Sequence, residues 1–155
     1  MTTNKFLAVL AVIVCFVAMV PFSVAAAVSA IHGNYTFSLA GPGQYGAQTI
    51  VGTITFDGAG HITALSYTQT DTTSGGGTTV CTGKLASTGS YTMGSSYDLG
   101  GLSMTVTSSC KGGGGPVKLG MLAAVPVSGI ANVVYLTPLA GKGNNGPSGM
   151  ATKQW

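Results

Sequence analysis

Residues 33–62 read GNYTFSLAGPGQYGAQTIVGTITFDGAGHI, and the spacing of the apolar side chains in them decides the fold class. Tyr35, Phe37 and Leu39 alternate with Asn34, Thr36 and Ser38. Ile50, Ile54 and Phe56 then fall on one side, with Thr49, Thr53 and Thr55 opposite. A period of two puts successive side chains on opposite faces of a strand, so both runs read as half-buried β-strands. Gly41-Pro42-Gly43 ends the first run. Asp57-Gly58-Ala59-Gly60 ends the second as a tight turn, because Asp can bond its own backbone and glycine takes positive φ without steric cost. A third strand is expected from His61 to about Thr70, followed by a loop over residues 71–77.

The next two strands have a register that can be argued. With Ser95 and Ser96 at the centre of a hairpin, opposed residues have numbers summing to 191. Cys81 then faces Cys110, Leu85 faces Val106, Gly89 faces Leu102 and Tyr91 faces Gly100. Opposed residues share a face, so Leu85, Tyr91 and Met93 join Leu102, Met104 and Val106. A Cys81–Cys110 disulfide would staple the open end of this hairpin. The alternative leaves Cys81 in the loop ahead of the strand.

Downstream, residues 117–127 alternate with Val117, Leu119, Met121, Val125 and Val127 on one face, residues 130–137 are apolar on both faces, and residues 148–155 form a short last run. Glycines 112–115 lack the following Lys-Ser/Thr of a phosphate loop and read as a linker. No stretch carries a helical period. The chain is therefore expected to be all-β, an eight-stranded antiparallel up-and-down barrel or meander, with a β-sandwich as the alternative.

Charge is scarce. The whole chain has 6 Lys and Arg, 3 Asp and Glu and 25 Gly, with charged residues at 6%, against roughly 25% for an average soluble domain. So few cations exclude a nucleic-acid binder. Residues 1–30 differ from the rest: Lys5 is followed by an unbroken apolar run, FLAVLAVIVCFVAMV over residues 6–20, then Pro21 and the small-residue stretch VAAAVSA over residues 24–30. That order is a secretory leader. Val28 and Ala30 fit the −3 and −1 positions read by signal peptidase, which makes residues 1–30 the signal peptide, preceding the barrel as a hydrophobic helix, and residues 31–155 the single barrel domain. Cleavage after Ala27 is the second choice, and an uncleaved anchor the third. The expected location is secreted, periplasmic or envelope, with no membrane association after cleavage. Cys15 leaves with the leader, and the remaining pair, Cys81 and Cys110, suits an oxidising compartment.

The segments GNYTFSLAG, GTITFDGAGHI, TGSYTMG and SGMATKQ resemble a group of secreted bacterial proteins of unknown activity, from acidobacteria and proteobacteria. These share a G-x-Y-x-F start, an F-x-x-D/N-G-x-G hairpin and an S-G-x-A-x-x-Q end. The resemblance covers most of residues 33–154 and implies a small β-barrel outside the cytoplasm. A cysteine pair is not part of that pattern.

Few residues invite chemistry. His61 can approach Asp57 across the turn but reads first as a polar strand start. His32 reads as part of a chain terminus. Asp57, Asp71 and Asp98 are too scattered for a calcium cage. No catalytic residue, metal or cofactor is therefore expected, and no ligand or partner can be named from the chain. Tyr35, Phe37, Ile54, Phe56, Tyr91, Met93, Met104 and Met121 read as plain core, with a cavity lining as the alternative. A non-catalytic protein of the envelope or matrix ranks first. A lipocalin-like carrier of a small apolar ligand ranks second. Third is an enzyme of cyclase or isomerase type, for which Asn132 and Tyr135 are the candidate polar groups inside the barrel.

Overall fold

The computed structural model describes residues 30–43, 46–94, 99–110, 114–124, 129–139 and 146–155. Residues 1–29 of the expected leader helix, the hairpin tip at 95–98, and Val125 and Val127 lie outside the described residues. The strands are β1 (His32–Pro42), β2 (Gly46–Asp57), β3 (His61–Thr73), β4 (Thr78–Leu85), β5 (Gly89–Met93), β6 (Leu99–Ser108), β7 (Gly115–Ala124), β8 (Val133–Pro138) and β9 (Ser148–Lys153).

Every pairing is antiparallel, and β9 returns to β1 from Tyr35↔Lys153 to Ala40↔Ser148. The ladder closes on itself. β4 and β5 share one strand position: both pair with β3 on one side and β6 on the other, β4 toward one end and β5 toward the other. The result is a closed, eight-stranded antiparallel barrel in meander order. Closure matters for a surface poor in charge, because it removes the unpaired edges through which sheets aggregate.

One half of the interior is filled. Tyr35, Ile54, Phe56, Ile62, Tyr91, Met93, Met121 and Val134 are all buried there. Phe56 stands between two tyrosine edges, 5.4 Å from Tyr35 and 5.0 Å from Tyr91, with interplanar angles of 87° and 80°, the arrangement that ring quadrupoles favour. Beneath these rings, the chain entering β1 and the segment leading into β8 close the barrel as a floor. Tyr35 Oη donates to the Ala131 carbonyl at 2.6 Å, Tyr91 Oη donates to the Ile31 carbonyl at 2.7 Å, and the Ala131 N–H donates to the Ala30 carbonyl at 2.8 Å.

The Cys81–Cys110 disulfide is formed, with Cα atoms 5.4 Å apart. Near it the expected register holds: Gly83↔Ser108, Lys84↔Thr107 and Leu85↔Val106 all sum to 191. Past residue 88 it does not. Tyr91 pairs with Leu102 and Met93 with Gly100, rather than Tyr91 with Gly100 and Gly89 with Leu102. The Ala86 N–H still donates to the Thr105 carbonyl at 2.9 Å, and the residues between it and Ser90 then insert two positions on that side, in the manner of a bulge. An even shift preserves which face each residue occupies, so Tyr91 and Met93 still point inward.

A second correction concerns residues 71–73, expected as loop. They continue β3, since Asp71 pairs with both Gln48 of β2 and Thr79 of β4. A ladder on both sides outweighs the low strand preference of Asp. The turn comes later, closed by Thr73 N–H to Gly77 O at 2.8 Å and Gly76 N–H to Thr73 O at 2.9 Å. Of the expected core set, Met104 is only half-buried.

Candidate ligand-binding cavity

The half of the barrel opposite the floor is hollow. A cavity of about 940 Å³ opens at that end, lined by apolar residues that include Phe37, Ile54, Leu65, Met104, Leu119 and Leu136. These come from six different strands and reach the same space because each sits at an inward position of its period-two pattern. The volume lies within the roughly 300–1,000 Å³ of drug-sized ligand sites.

Part of the space exists because the two positions paired with Tyr67 are glycine. Tyr67 on β3 is paired with Gly52 on β2 and with Gly83 on β4. A Cβ on Gly83 would lie 2.0 Å from Tyr67 Cζ, so the ring occupies the volume a Gly83 side chain would need. Tyr67 flattened over glycine leaves the barrel axis open. Its hydroxyl is bonded to the Ser108 side chain, and its pKa is raised because burial outweighs that hydrogen bond.

Polar groups meet at the open end. Gln48 Nε2 donates to Asp71 Oδ1 at 2.8 Å, and Gln69 Nε2 donates to Asp71 Oδ2 at 2.7 Å. Gln48 and Gln69 line the cavity. Because an ionised carboxylate only accepts, Asp71 fixes the orientation of both amides. Each carbonyl oxygen then faces away from the carboxylate. The cluster thus sets carbonyl acceptors and a negative charge beside a lining that is mainly apolar but also includes Tyr67 and Lys118.

The cavity ends on Phe37, Ile54 and Leu102, and the floor tyrosines lie beyond it. Burial holds the Tyr35 phenol at a pKa of about 12, and the neighbouring Tyr91 pushes it the same way. Tyr91 is also raised by burial, opposed by a backbone hydrogen bond from Gly60. Both hydroxyls are structural donors to floor carbonyls.

Asp57 and His61 do meet, with His61 Nδ1 2.6 Å from Asp57 Oδ2. Asp57 Oδ1 also accepts from the backbone N–H of Ala59 at 2.7 Å and of His61 at 2.9 Å. The His61 backbone bond is the main cause of its pKa falling to about 2. This pair caps the β2–β3 turn on the outside of the barrel, away from the cavity, as turn chemistry suggests. Asn132 and Tyr135, the polar groups considered for the interior, are both exposed, Tyr135 at 46%. In β8 the inward positions belong to Val134 and Leu136.

Sequence reading missed Gln48, Tyr67, Gln69 and Asp71. The signal was present: residues 65, 67, 69 and 71 share the parity of buried Leu65, so polar residues on an inward face mark the site. Among the described residues, no group of three His, Cys, Asp or Glu is placed to hold a metal ion. No protein-family model matches the chain, and no curated protein or solved structure matches it.

Proposed function

We propose that this protein is an exported, non-catalytic carrier that takes a small, mainly apolar molecule into its barrel. The ligand's polar end donates hydrogen bonds to the Gln48–Gln69–Asp71 cluster. The observation that carries this reading is the cavity of about 940 Å³ with mainly apolar walls and the Gln48–Gln69–Asp71 cluster at its mouth. An envelope or matrix protein working through its exterior would be better served by a filled core and an open edge strand. The hollow interior and closed ladder therefore favour the carrier. Both Asp71 oxygens already accept amide hydrogens, an arrangement suited to holding a ligand rather than to moving protons.

Export is supported by the leader-like composition of residues 1–30, by the Cys81–Cys110 disulfide, and by the resemblance of the strand and turn motifs to secreted bacterial proteins. The test is titration with N-phenyl-1-naphthylamine, an apolar amine that fluoresces out of water. Saturable binding at one site per chain is expected, strongly weakened in Leu119→Trp, which places an indole in the cavity without opening the floor. No saturable binding, or binding that ignores this substitution, would overturn the carrier reading.

One observation favours a second reading, attachment to another apolar surface. Leu99, Leu122, Tyr135 and Met150 are paired in a row across β6 to β9 on the barrel exterior, each between 42% and 70% exposed. An apolar stripe running over four strands is more than scattered surface residues. Retention of the wild type, but not of Tyr135→Lys, on phenyl-agarose at low salt is its signature.

A further inference from the structure

We infer that the mature chain begins at Val28, with signal peptidase reading Ala25 and Ala27, rather than at Ile31 after Val28 and Ala30. By sequence the two sites compete closely, both with small side chains at −3 and −1. The barrel separates them, because residues 30 and 31 are part of its floor. Ala30 is 2% exposed and Ile31 fully buried. The Ala30 carbonyl accepts from the Ala131 N–H, and the Ile31 carbonyl accepts from Tyr91 Oη.

Cleavage after Ala30 would cost the floor in two ways. It removes the carbonyl that satisfies Ala131, itself fully buried, leaving an unpaired N–H in the interior. It also converts the Ile31 nitrogen from a peptide N–H into an ammonium at a residue with no solvent exposure, and a buried charge without a partner is strongly unfavourable. Cleavage after Ser29 shares the second fault, placing the ammonium on Ala30. Cleavage after Ala27 keeps both floor carbonyls and sets the new charge three residues before Ile31. The floor of the cavity is thus completed by residues that a sequence-based boundary would assign to the leader.

This inference rests on the export part of the proposed function, and one experiment separates the two. The full chain is expressed with its own leader in a bacterial host, and the protein outside the cytoplasm is measured by intact mass and N-terminal sequencing. The expected species is Val28–Trp155, two hydrogens lighter than its reduced form. A start at Ile31 or Ala30 overturns the cleavage assignment and leaves export standing. A chain that remains cytoplasmic and uncleaved overturns both. Hydrogen exchange on the exported protein gives a second readout: the Ala131 amide is expected among the slowest, and rapid exchange there would overturn the floor argument itself.

Discussion

Removing the disulfide tests how far the barrel depends on a covalent staple rather than on its core. Cys81 and Cys110 are separated by 29 residues. The loop-entropy relation gives about 12 cal/mol/K for closing such a loop, or roughly 3.6 kcal/mol at 25 °C. The Cα separation of 5.4 Å lies in the usual range for a disulfide. Cys81 is buried at 1% exposure, so alanine is the right replacement: serine would add an unpaired hydroxyl to the interior. The double variant Cys81→Ala/Cys110→Ala is therefore expected to lose about 3 to 4 kcal/mol in urea unfolding. Its thermal midpoint should fall on the order of 10 °C. Because the constraint acts on the unfolded chain, the m-value should rise as that chain expands. Cys81 also pairs with Gln69 at the mouth, so probe affinity should fall together with stability. A loss below about 1 kcal/mol with an unchanged m-value would refute the reasoning, because loop closure would then contribute little.

The floor tyrosines make a second case: Tyr35→Phe removes a buried donor and leaves the Ala131 carbonyl short of a partner, with an expected loss of about 1 to 3 kcal/mol in the same assay. Tyr35 also predicts alkaline behaviour. Its folded pKa of about 12 lies above the unfolded value of 10, so its contribution is complete below pH 10 and is lost as pH rises toward 12, by about 2 to 3 kcal/mol in all. Gly83→Ala drives a Cβ into the Tyr67 ring. It should cost about 1 to 3 kcal/mol as overpacking, and probe titration should register the displaced ring as weaker binding. The sign is opposite at Asp57, whose folded pKa of about 2 lies below the ordinary carboxylate value. Its contribution is present above that ordinary value and disappears as pH falls through about 2, and a carboxyl-carbon NMR titration should place its midpoint there.

Much of the barrel follows from local pattern. Which face Tyr35, Phe37, Ile54 or Phe56 occupies depends on the period-two geometry of its own strand. The Asp57–Gly60 turn depends on side chains within four residues of one another, including Gly58 and Gly60 with φ of 78° and 100°. The hairpin register near Cys81 was legible because Cys81 and Cys110 fall opposite each other when the hairpin is centred on Ser95 and Ser96. The two-residue shift between Ala86 and Ser90 was not, since a bulge on the correct parity leaves every face unchanged and so no trace in the hydrophobic pattern. Asp71 was misjudged as loop because its polarity is local, whereas its ladder partners Gln48 and Thr79 are supplied by two other strands.

The sequence by itself determined an all-β chain, the faces of its alternating strands such as β1 and β2, its turn chemistry, its low charge and the pairing of Cys81 with Cys110, but not the face of β8, where Tyr135 points outward. Each rests on neighbours close along the chain or, for the disulfide, on the availability of a single partner once Cys15 is set aside with the expected leader. Tertiary structure decided whether the barrel is filled or hollow. That outcome depends on side chains from separate strands meeting at one level: Tyr35, Phe56 and Tyr91 fill the floor half, while Tyr67 lies over Gly83 and leaves the mouth half open. Volume summed across strands is a non-local quantity, and only closure of the ladder brings its contributions together.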